Sequence, residues 1–74
     1  MDKSLLEFLL PLVNDPHNHE ALVAYANYRI ALAHKALENP SLATDLVRFY
    51  QGQIDEMRKL IGLRDTVNGE AKRR

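Results

Sequence analysis

NPSLATDLVRFYQGQIDEMRKLIGL, residues 39–63, decides the fold. Set on a helix at about 100° per residue, Leu42, Leu46, Phe49 and Leu60 fall with Ala43, Val47, Tyr50, Ile54, Met57 and Ile61 inside one arc of less than half the circumference. The last six recur at intervals of 4, 3, 4, 3 and 4, which is the seam of a helix lying along another helix. Ser41, Asp45, Arg48, Gly52, Asp55, Glu56 and Lys59 make the opposite, soluble face. The stretch is rich in packing and poor in chemistry.

Upstream, Asn39-Pro40-Ser41 closes one helix and opens this one, over about residues 40–64. Pro40 cannot continue an earlier ladder, and either Asn39 or Ser41 can cap. Asn14-Asp15-Pro16 is a second break, with Asp15 as cap and Pro16 at the first helical position. Between the breaks, residues 16–38 read as a helix roughly 30 Å long. Its apolar arc is wider than one partner helix can cover. So short a connection as Asn39-Pro40 predicts an antiparallel helical hairpin. Residues whose numbers sum to about 79 should then face each other, setting Arg29 level with Tyr50. Arg29 and Gln53 interrupt otherwise apolar arcs and need partners. Arg29 is expected to lie along the Tyr25 and Tyr50 rings, with its head reaching Gln53, a carboxylate or a second subunit.

Ser4 and Glu7 fit a capping box, and a first helix is predicted over about 4–13, kinked or ended by Pro11. That helix is apolar nearly all round, so it must cover a groove or enter a partner. Residues 65–74 show no apolar face and are read as a frayed tail. The expected fold is all-α, a hairpin with a short N-terminal helix, completed by oligomerisation.

Composition narrows the function classes. At 74 residues the chain is one domain near the lower limit for a lone core, and it contains no Cys for a disulfide or a thiolate metal site. Lys plus Arg and Asp plus Glu are 10 each, so no global field attracts nucleic acid or anionic lipid. The run from Leu5 to Val13 is too short to cross a bilayer and lacks the flanks of a secretion signal. A cytoplasmic location and no membrane partner are expected.

Catalytic constellations do not emerge. His17-x-His19 with Glu20 is the one metal-like cluster, yet residues two apart on a helix point about 200° away from each other. It reads as a polar first turn with both imidazoles exposed. There is no glycine-rich phosphate loop, no HExxH and no paired carboxylate in an apolar setting. No enzyme activity, catalytic residue, cofactor, metal or small-molecule substrate is therefore expected. Lys72-Arg73-Arg74 reads as a solvated basic end, with phosphate contact as the other option.

What remains is contact surface. The expected partner interface takes Leu5, Phe8 and Leu9 from the first helix and Leu22, Val23, Arg29, Ile30 and Leu37 from the second. Gly52 and Gln53 join it from the third, since an exposed helical glycine permits close approach of another backbone. The run Arg48-Phe49-Tyr50-Gln51-Gly52-Gln53-Ile54, followed by Met57, Leu60, Ile61 and Leu63, resembles a pattern in small helical proteins of tailed bacteriophages. There an R-x-x-Q-G-x-I segment leads into a leucine-spaced helix. The resemblance implies a non-enzymatic virion or assembly protein, or a small host-directed binder, in the host cytoplasm or the virion. The residues leave two alternatives open: a regulator or inhibitor of one host protein, or a nucleic-acid accessory protein using Arg48, Arg58, Lys59, Arg64 and the basic tail. Asp55 dilutes that basic patch.

Overall fold

In the computed structural model, which describes residues 1–73, the chain forms α1 (Lys3–Asn14), α2 (Pro16–Leu37), α3 (Thr44–Ile61) and α4 (Leu63–Lys72). No strand occurs among the described residues, and Arg74 of the basic end lies outside them.

Local chemistry sets each boundary. Asp2, not Ser4, caps α1: its carboxylate accepts the Ser4 N–H at 3.4 Å and its carbonyl accepts the Leu6 N–H at 2.9 Å. The helix then runs through Pro11 to Asn14, so the proline does not end it. Pro11 removes one rung of the ladder, but its carbonyl accepts the Asp15 N–H at 3.2 Å. The Asn14 amide, in turn, satisfies the Leu10 carbonyl at 2.9 Å. Asp15 is the whole connection to α2. Its backbone closes α1 while its carboxylate caps α2 through the Asn18 N–H at 3.0 Å, and Pro16 takes the first helical position.

The next connection is longer than the sequence suggests. Asn39 Oδ1 accepts the Ser41 N–H at 3.0 Å and the Asn39 carbonyl accepts the Leu42 N–H at 3.2 Å, so this asparagine builds the turn instead of capping α3. Ala43 occupies the cap position without a side-chain bond, and α3 starts at Thr44. Residues 40–43 are therefore outside the helix, and Ala43 is lost from the seam.

The end of the chain is also a correction. Residues 63–72 are helical, not frayed, because Leu63, Val67 and Ala71 lie four apart and form the apolar stripe that the polar composition hides. The stripe packs on α1, where Leu6, Val13 and Val67 form a buried cluster with Leu9 and Leu10 at its edge. Asn14 and Asn68 exchange amide hydrogen bonds of 2.9 and 3.0 Å across the same junction. Helix α2 packs against α3 and, at its start, against α1.

The result is elongated, 48 × 24 × 15 Å with a radius of gyration of 15.3 Å. A compact chain of this length would have a radius of about 11 Å. Its accessible surface of 5517 Å² is roughly 850 Å² more than a monomer of this mass ordinarily keeps.

Candidate functional site

The excess surface has a cause in α2 and α3. The fully buried residues of α2 are Ala26 and Ala33, at 0% and 2% exposure, and Ile54 is the buried residue of α3. Alanine at the deepest positions of a helix permits close approach of its neighbours and buries little side-chain volume itself. Bulkier neighbours move to the flanks. Among the described residues, the large apolar side chains left exposed are Met1, Leu5, Phe8 and Leu12 on the α1 side, Tyr25, Tyr28 and Leu32 on α2, and Leu46 and Phe49 on α3. Phe8 is the extreme, at 78%.

These are not scattered. Met1, Leu5, Phe8 and Leu12 recur at 4, 3 and 4, as do Ala21, Tyr25, Tyr28 and Leu32. Each row is a stripe on one helix face, with the spacing of a helix-packing seam. The stripes adjoin. Leu12 and Val13 of α1 share a hollow of about 340 Å³ with Asn18, His19, Ala21, Leu22 and Tyr25 of α2. Farther along, Arg29 of α2 shares a groove with Arg48, Phe49, Gly52, Gln53, Glu56 and Met57 of α3. The other groove between α2 and α3 is lined by His34, Leu37, Gln51, Ile54, Asp55 and Arg58. Both grooves mix apolar side chains with charged ones.

Arg29 sits half-buried on α2. Its Nη1 donates to Tyr25 Oη at 3.1 Å, so the head that was expected on Gln53, a carboxylate or a second subunit meets a phenol on its own helix. Arg29 shares its groove with residues of α3 from Arg48 to Met57, Gln53 among them and Tyr50 not. Tyr50 instead packs edge-on against Phe49, with ring centroids 5.3 Å apart.

The expected interface residues divide. Leu5 and Phe8 are exposed, while Leu9, Leu22, Val23, Ile30 and Leu37 are half-buried within the chain. Gln53 is half-buried in the Arg29 groove, and Gly52 is exposed, with open space where a Cβ would stand. On α2 the open residues are Tyr25, Tyr28 and Leu32, at 51%, 59% and 47%. The sequence carried their signal in the second 4–3–4 row, masked by the apolar residues on the other side of the same helix.

The histidine pair also divides. His17 is exposed, whereas His19 is half-buried, with its Nδ1 shielded from water and without a hydrogen-bond partner. Among the described residues no three histidine or acidic side chains converge as a metal cage would require, and no helix is long and apolar enough to cross a membrane. No protein-family model, curated protein or solved structure matches this chain. The surface itself has to carry the functional argument.

Proposed function

We propose that this chain is a non-enzymatic structural or assembly protein that acts by laying helix faces against other helices. The observation that supports it is the joined set of apolar stripes on α1, α2 and α3, in a molecule with roughly 850 Å² more surface than its mass needs. In this reading α2 and α3 form an antiparallel hairpin about residues 38–43, and the stripes are completed by further helices, from copies of this chain or a larger partner. The R-x-x-Q-G-x-I likeness adds a setting, the assembly machinery of a tailed bacteriophage. The surface is suited to contact more than reaction, since its hollows are shallow and open.

The test is the particle mass by light scattering together with binding of a dye that fluoresces on exposed apolar surface. The proposal expects wild-type protein to associate, and Phe8→Glu and Leu32→Glu to lower the mass with helix content unchanged. A wild-type monomer at every concentration that leaves the dye dark would overturn it.

A further inference from the structure

We infer that the groove between α2 and α3 that holds Arg29 receives the α1 helix of a second copy of this chain, with Phe8 over Gly52 and Glu7 against Arg48 and Arg29. The inference rests on the helix-face reading above and names the partner that it leaves open.

The groove's own chemistry states what it can hold. Phe49 and Met57 make part of it apolar, and Gly52 leaves open space where any other residue would put a side chain. The polar lining is Arg29, Arg48, Gln53 and Glu56. Arg29 spends one donor on the neutral Tyr25 hydroxyl, and Glu56 holds Lys59 at 3.2 Å in a solvent-exposed pair. Among the described residues, no carboxylate pairs with either arginine. A fitting helix therefore brings a large apolar side chain to the gap at Gly52 and a carboxylate to the arginines.

Helix α1 offers that combination. Phe8, at 78% exposure, is the most open large apolar residue described, and it lines a shallow hollow with Ser4 and Glu7, so ring and carboxylate are presented together. Lys3 and Glu7 stand four apart on one flank of the Met1, Leu5, Phe8 and Leu12 row, and neither has an ion-pair partner among the described residues. The exposed row of α2 lacks this chemistry, since no Asp or Glu occurs between Ala21 and Leu37. The opposite face of α1 is fixed to α4 through Leu6, Val13 and Val67, so docking need not order the helix that carries the row. Its own Phe8 does not line the groove, which α2 and α3 form alone.

Charge also fixes direction. Along α3, Arg48 precedes Glu56 by eight residues, about 12 Å, and along α1, Lys3 precedes Glu7 by four, about 6 Å. Opposite signs meet when α1 runs antiparallel to α3, with Glu7 towards Arg48 and Lys3 towards Glu56. The flexible stems of arginine and lysine cover the difference in spacing. The parallel setting would bring like charges together at both ends. Because the inserted helix and the groove are different surfaces, the contact is head-to-tail.

Sedimentation velocity on the whole chain, from low to high micromolar and at low salt, tests the pairing. Wild type should associate reversibly, and salt should weaken it. Glu7→Lys and Arg48→Glu change exposed residues, so helix content by circular dichroism should hold, while each weakens association roughly 10-fold by setting like charges together. An equimolar mixture of the two should recover most of it, since each variant then meets the opposite sign in the other. Lys3→Glu should also weaken association, and strengthening would overturn the antiparallel direction. Wild-type association in either Glu7→Lys or Arg48→Glu, or a mixture that fails to recover, would overturn the groove as the site of α1 and leave the helix-face reading standing. A wild-type monomer that still binds the dye would overturn the second copy alone. A wild-type monomer that leaves the dye dark would overturn both.

Discussion

The two halves of this molecule solve the same problem differently. At the α1–α4 junction, residues of ordinary size (Leu6, Val13 and Val67) reach 0–4% exposure, and paired asparagine amides fix the helices side by side. Along α2 and α3, the deepest positions of α2 are alanines, and the aromatic residues are left at the flanks. A short polar helix thus has a conventional core, while the longest helix in the chain does not. Close approach of backbones and burial of large side chains compete for the same space, and alanine at the buried positions of α2 forgoes the second. What it leaves outside is the surface to which function is assigned.

The contrast can be broken most sharply at its closed end. Val67→Asp puts an unpaired charge at a position with 0% exposure, which should detach α4 and expose the α1 cluster. Helix content by circular dichroism should fall by about the ten residues of α4, and amide exchange should stay slow in the centres of α2 and α3. Loss of all helix signal would mean that the two halves form one cooperative unit. Ala26→Leu probes the other half. If close approach is the organising feature there, the added methylenes should destabilise by about 1–3 kcal/mol in urea unfolding. A neutral result would show that α2 and α3 have slack. The smallest effect belongs to Gly52→Ala, which fills open space on an ordinary helical backbone and should stabilise by about 0.5–1 kcal/mol. If the same change lowers the particle mass, Gly52 is a point of close contact between chains, as its sequence context suggested.

Legibility in the sequence followed the strength of local signals. The α2 start was readable because Asp15-Pro16 combines a cap with a proline at the first helical position, each acting within one turn. Where several local groups competed, reading was harder: Asn39 could cap or turn, and the choice moved the start of α3 to Thr44. Helix α4 was hidden because three apolar residues in ten look like a tail until α1 supplies something to pack on. The same limit applied to the contact surface. Leu5 and Phe8 stood out on a helix that is apolar all round, but an equally broad arc on α2 did not reveal which side α3 would cover.

By itself, then, the sequence determined that the chain is helical, where its caps and breaks fall to within a few residues, and that it carries more apolar circumference than its helices can share. Those properties depend on neighbours within one or two turns. Only the tertiary structure decided which arc is spent inside: Ala26 and Ala33 inward, Tyr25, Tyr28 and Leu32 outward, and α4 folded onto α1. That choice depends on side-chain volumes meeting across helices far apart in the chain, and no periodicity along a single helix contains it.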